Sequence, residues 1–121
     1  ANTANLTMNP FLFANTGYDP RRDLSPICVA ARLMNALTVS AESGITSLAD
    51  LLARSNAKQG GLSFASSGTG SSPHLAAELL KHRTGIPGVH VPYRGSAPGI
   101  ADLIGGRVDW TMDNLPNVLP Q

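Results

Sequence analysis

The stretch LSFASSGTGSSPHLAAELLKHRTG, residues 62–85, decides the fold. Leu62-Ser63-Phe64-Ala65 alternates apolar and small residues, the pattern of a short strand with Leu62 and Phe64 on one face. Ser66-Ser67-Gly68-Thr69-Gly70-Ser71-Ser72 then supplies only small, turn-forming residues. Ser72 is a natural N-cap and Pro73 suits the first helical position, which predicts a helix over Pro73–Thr84 with Leu75, Leu79 and Leu80 toward the core. Lys81, His82 and Arg83 meet the negative end of its dipole, and Gly85 stops it. A strand, a loop and a helix in that order form half of a parallel α/β unit.

The same alternation extends outward. Upstream, Ser47 and Asp50 form a capping box for a helix over Leu48–Ala57, whose apolar stripe is Leu48, Leu51 and Leu52 and which Gly60-Gly61 ends. Ile27–Ala31 and Asn35–Val39 read as two short strands, with Arg32-Leu33-Met34 between them fitting neither pattern. Tyr18-Asp19-Pro20-Arg21-Arg22-Asp23 is a turn, and Ala1–Asn9 alternates weakly up to Pro10. Downstream, Val89-His90-Val91 is a strand, Pro92–Gly95 a turn, and Ser96 a cap for a helix over Ala97–Ile104 ended by Gly105-Gly106. Arg107–Met112 is a further strand, with Val108, Trp110 and Met112 on one face and Asp109, Thr111 and Asp113 on the other; a short helix over Leu115–Leu119 follows. The expected architecture is an α/β three-layer sandwich, a mostly parallel sheet flanked by helices.

Composition narrows the function classes. The 121 residues suit one domain. A net charge of +1 leaves no basic patch for a nucleic-acid backbone, and 5% aromatic residues leave no stacking platform for bases. The single cysteine, Cys28, excludes an intrachain disulfide; between Ile27 and Val29 it is expected to be a buried strand residue. No apolar run approaches the ~18 residues of a membrane span. The opening residues Ala1–Asn5 carry no leader pattern and read like the middle of a protein, so a fragment or processed product is expected.

The loop of residues 66–72 carries the chemistry. It lies at the carboxyl end of a strand, where open α/β sheets bind ligands, and it feeds a helix N-terminus whose free N–H groups favour an anion. The hydroxyls of Ser66, Ser67, Thr69 and Ser71 add donors, and Gly68 and Gly70 allow close backbone approach. A carboxylate or a phosphate fits; a merely capped turn is the plainer alternative. The Gly-Lys-[Ser/Thr] of a Walker loop, the third glycine of a dinucleotide fingerprint and a Gly-x-Ser-x-Gly elbow are all missing. His74 reads as a loop-fixing donor or ligand contact. A small hydrolase-like enzyme using Ser71 or Ser72 with His74, oriented by Asp113, is the rival reading. His82 and His90 lack metal-binding spacing and read as surface or satisfied core histidines. Asp109 and Asp113 share a strand face, as acid/base pairs do, but Asp113 or Asn114 as a helix cap is the simpler reading. Arg94 could grip an anion bidentately or lie in an exposed turn. Trp110 reads as core.

At these residues the chain resembles a known family. Ser66–Ala76 with Glu78-Leu79, His90–Pro98, and Asp102–Asp109 resemble, in order and spacing, the Bug family of solute-binding receptors of tripartite tricarboxylate transporters. Asn9-Pro10, Tyr18-Asp19-Pro20 and Asp23–Ile27 resemble it too. The stretch Arg32–Ser43 departs, since the family usually has there an apolar strand with a proline-containing turn. The resemblance implies a periplasmic, two-lobed protein that closes on a ligand, with no enzymatic activity and no cofactor. Family members are longer, which implies that residues 1–26 belong to the first lobe and crossover, 27–113 to the ligand-binding lobe, and 114–121 to the return to the first lobe. It further implies that Ser66, Ser67, Gly68, Thr69, Gly70 and Ser71 contact a ligand carboxylate, with His74 behind them and Asp113 close to the cleft. The family's other carboxylate-contacting loop has no counterpart in these residues. The implied partners are a small carboxylic acid or amino acid and a membrane permease, with no metal and no nucleic acid; apolar surface left without its second lobe would favour self-association.

Overall fold

The computed structural model describes residues 6–120; the expected alternation over Ala1–Asn5 lies outside the described residues. In chain order the elements are α1 (Asn9–Leu12), β1 (Asn35–Val39), a 3-10 turn (Ala41–Ser43), α2 (Leu48–Ala57), β2 (Leu62–Ser66), α3 (Ser72–Thr84), β3 (Gly88–Pro92), α4 (Ser96–Ile104), β4 (Trp110–Asn114) and α5 (Leu115–Val118). The sheet order is β1-β4-β2-β3. β2 runs parallel to both β3 and β4, and β1 is the antiparallel edge, paired Val39 to Trp110 and Asn35 to Asn114.

Two apolar clusters lie on the two faces of this sheet. Leu51, Leu62, Phe64, Ala77 and Trp110 join α2 and α3 to one face, with Val39, Leu80 and Met112 packed against them. Ala65, Leu103 and Val108 join α4 to the other, with Val91 and Tyr93. A parallel sheet needs both faces covered, and this one is a three-layer sandwich. On the α4 side Gly99 permits the contact: a Cβ there would lie 3.2 Å from Tyr93 Cδ2 and 3.3 Å from the Ala65 Cβ.

Local chemistry explains where the elements start. Ser47 Oγ accepts the Asp50 amide at 3.1 Å, as expected for the N-cap of α2. The Asp50 carboxylate turns one residue further out, taking the Thr46 amide at 3.1 Å and the Thr46 hydroxyl at 2.8 Å. Leu51 and Ser55 form the buried face of α2, while Leu48 stays exposed. In α3 the cap is Ser71 rather than Ser72, its hydroxyl accepting the His74 amide. The buried residues of α3 are Pro73 and Ala77; Leu80 packs against the core as expected, whereas Leu79 is exposed, which corrects its place in the expected stripe. α4 starts at Ser96 after Gly95, whose φ of 106° makes the bend; the Ser96 hydroxyl accepts instead from Asn117.

Three expectations on strands and termini need correction. Ile27–Ala31 is irregular and exposed, Ile27 by 97%, and Cys28 is exposed with it. These residues meet no strand edge, and apolar side chains without a partner element gain nothing from extension. The last strand begins at Trp110, not Arg107, because the Arg107 and Val108 amides both bond the Asp102 carbonyl and wrap the chain around the end of α4. Val108 therefore packs on the α4 side while Trp110 packs on the other, so the two do not share a face. Pro10 does not end a segment; it sits in the first turn of α1.

Among the described residues no helix is long and apolar enough to cross a membrane.

Candidate functional site

β2 ends at Ser66, and the loop to α3 is built by its own hydrogen bonds. Ser66 is 2% exposed, and its hydroxyl accepts the Gly68 amide at 3.2 Å. The Ser71 hydroxyl donates to the Gly68 carbonyl at 2.6 Å, and the Ser71 amide reaches the same oxygen at 3.2 Å. The Gly70 amide donates to Nδ1 of His74 at 3.1 Å. Gly68 and Gly70 hold φ of 125° and 78°, conformations that L side chains rarely adopt. Across the sheet edge the Tyr93 amide donates to the Ser66 carbonyl, which seats the β3–α4 loop beside this one.

These bonds leave a defined set of donors. The amides of Ser67, Thr69 and Ser72 and the hydroxyls of Ser67 and Thr69 find no partner among the described residues. All sit at the N-terminus of α3 and the carboxyl edge of the sheet, where the helix dipole favours negative charge.

Behind the loop stands a row of rings. His90, opposite Phe64 in the β2–β3 register, stacks on it at 5.0 Å between centroids, and Phe64 stacks on Trp110 at 4.9 Å. His90 also stacks on His74 at 4.0 Å, and Nε2 of His90 lies 2.7 Å from the Ser66 hydroxyl. Burial pushes both imidazoles below their ordinary 6.5; Lys81 pushes the same way, Glu78 opposes, and His74 further lowers His90. Both rings are therefore neutral at pH 7. With Nδ1 of His74 accepting a hydrogen bond, its proton sits on Nε2.

The remaining expected site residues separate. Asp113 is buried at the same sheet edge as the loop, but its carboxylate accepts the Asn114 amide at 2.6 Å and the Asn117 side chain at 2.9 Å. It thereby braces the start of α5, whose N-cap Asn114 makes no side-chain cap bond. Asp109 lies at the opposite end of β4, held by the Ser63 amide and hydroxyl, each at 2.7 Å, and by Lys58 at 3.0 Å. The two aspartates do not form a pair. Arg94 and His82 are exposed.

His74 makes no bond through its ring to Ser71 or Ser72, and the Asp113 carboxylate reaches no histidine. The serine–histidine–aspartate constellation of the rival reading is thus not assembled. Sequence reading missed His90, whose place against Ser66 and His74 depends on strand register; among the described residues no cluster of metal-ligating side chains occurs.

A mostly parallel sheet flanked by helices, with a glycine-serine loop leading from its carboxyl edge into a helix, is a lobe of the periplasmic-binding-protein type. The chain belongs to the tripartite tricarboxylate transporter family receptors, which it matches over residues 1–121. It is 33% identical over 119 residues to the protein BugT of Bordetella pertussis, covering 98% of this chain and 36% of that one. It superposes with a TM-score of 0.83 and 42% identity on R. palustris Rpa4515, solved with adipate, covering 89% of this chain and 36% of that one. A structure described as a periplasmic transporter superposes over 100% of this chain and 41% of its own, with a TM-score of 0.92 and 34% identity. The chain spans about a third of the length of the curated relatives it matches. The family consists of solute-binding receptors, not enzymes, which sets the hydrolase reading aside.

Proposed function

We propose that residues 27–113 form the ligand-binding lobe of a periplasmic receptor that captures a small carboxylate, with 1–26 belonging to the first lobe and crossover and 114–121 to the return. The reading rests on one observation above the rest: the unpartnered amides of Ser67, Thr69 and Ser72 and the hydroxyls of Ser67 and Thr69 gathered at one helix N-terminus. Amide and hydroxyl donors make charge-assisted bonds to a carboxylate without a positive side chain, so the anion can be released again. Ser66, Gly68, Gly70, Ser71 and His74 hold the loop in shape around these donors, and Asp113 fixes the neighbouring edge. The similar R. palustris protein solved with adipate makes dicarboxylic acids the first class to test, amino acids the second.

The second lobe would supply the donors for the far end of the ligand. Hinge closure would then bury it, and the closed form would deliver it to a membrane permease. Titration calorimetry of the receptor carrying this lobe against dicarboxylates and amino acids tests the reading. One-to-one binding of a carboxylate, absent for the corresponding amide, supports it; no binding by any member of the panel overturns it.

A further inference from the structure

We propose that His90 is a positioning residue for the Ser66–Ser71 loop: it sets the loop's shape through Ser66 without touching the ligand. The inference rests on the carboxylate reading above for its consequence in binding, but its geometry stands on its own.

The Ser66 hydroxyl is the node at which the loop leaves the sheet. It accepts the Gly68 amide at 3.2 Å, lies 3.2 Å from the Gly68 carbonyl, and lies 2.7 Å from Nε2 of His90. The shortest of these contacts is the one to the imidazole. That imidazole cannot swing freely, because it stacks on two rings, Phe64 at 5.0 Å and His74 at 4.0 Å. Phe64 in turn stacks on Trp110, and both are fully buried. The rigid core is thereby coupled to the loop at two points. His90 holds its start through Ser66, and His74 holds its middle through the Gly70 amide. Around the pair stand Glu78 and Lys81 of α3; they bond each other at 2.9 Å, and the Lys81 ammonium sits 5.2 Å from the Phe64 ring centroid.

Two substitutions separate this role from plain packing. His90→Phe keeps a ring in the stack and removes the nitrogen. His90→Gln keeps a polar atom near the place of Nε2 and removes the ring. If His90 positions the loop, His90→Phe weakens adipate binding about tenfold with little change in melting temperature, and His90→Gln recovers most of the affinity while melting lower. If His90 only fills space, the order reverses: His90→Phe binds like the wild type and His90→Gln does not, which overturns the proposal.

Amide hydrogen exchange without ligand supplies an independent arm. The Gly68 amide in His90→Phe is expected to exchange about tenfold faster than in the wild type, with core amides of β2 unchanged. Unchanged Gly68 exchange overturns the positioning role whatever binds. Should His90→Phe fail to fold, His90→Leu removes the same nitrogen and is expected to give the same faster Gly68 exchange; unchanged exchange there counts equally against the proposal. A wild type that binds no carboxylate overturns the receptor reading alone, and the exchange arm still decides the role of His90.

Discussion

The Gly70 amide donates to Nδ1 of His74 at 3.1 Å, closing the loop back onto the first turn of the helix it feeds. This bond exists only while Nδ1 carries no proton. Burial keeps His74 and His90 below 6.5, so the folded protein binds fewer protons than the unfolded chain in the range just beneath that value. Stability therefore rises with pH through that window and levels off above it. Urea denaturation between about pH 5 and about pH 7.5 checks this, and NMR of the imidazole carbons assigns it. Imidazoles titrating at or above 6.5 would contradict it.

Gly70 itself is constrained by its backbone. Its φ is 78°, and a Cβ would lie 3.0 Å from Leu12 Cδ1 of α1. Leu12 is the end of a flexible side chain and can yield, so the dihedral sets the penalty. Gly70→Ala is expected to cost about 1 to 2 kcal/mol, and Gly70→Val more, because a β-branched residue tolerates positive φ least. Chemical denaturation measures both.

Gly61 faces a harder obstacle. Its φ is 81°, and a Cβ would stand 2.2 Å from the Pro87 carbonyl oxygen, which is backbone and cannot yield. Gly61→Ala should cost several kcal/mol, at the severe end for a single substitution. The neighbouring Ser55 is fully buried, donates to that same Pro87 oxygen at 2.5 Å and accepts the Leu62 amide at 3.3 Å. Ser55→Ala strands both groups and is expected to cost about 2 to 4 kcal/mol, read from the same denaturation curves.

Asp109 ties the opposite end of β4 to β2. Burial pushes its carboxyl up, but the bonds from Ser63 and Lys58 outweigh burial and hold it below 3.8. The folded state thus favours the charged form, and its contribution is present above 3.8 and lost as the pH falls through the folded value. Asp109→Asn is expected to lower stability by about 1 to 2 kcal/mol at pH 7 and to flatten the acid limb of the stability profile. An unchanged acid limb would contradict this assignment.

Much of this was legible from the residues. α2 runs over Leu48–Ala57 as its capping serine and leucine spacing predict, and the β2–loop–α3 unit follows from the apolar alternation ending in glycines. What failed depended on distant partners. Ser71 and Ser72 are equally good caps by type, and it is Ser71, tied to the Gly68 carbonyl, that accepts the His74 amide. Ile27 and Val29 look like strand residues, yet a strand exists only where another edge receives it. Asp102 stands several residues before Arg107 and still decides where β4 begins. His90 gains its place only when β3 pairs with β2 and sets it opposite Phe64. The fold class and the place of the glycine-serine loop were readable because both are local; the support of the loop was not, because it is made across the sheet.

The most direct test of the carboxylate reading is titration calorimetry with adipate on the receptor carrying this lobe, with the wild type and Gly70→Val side by side. Saturable one-to-one binding, weakened at least about tenfold by Gly70→Val, is the predicted result. No heat from adipate or any other carboxylate in the wild type, or unchanged affinity in a folded Gly70→Val, would contradict it.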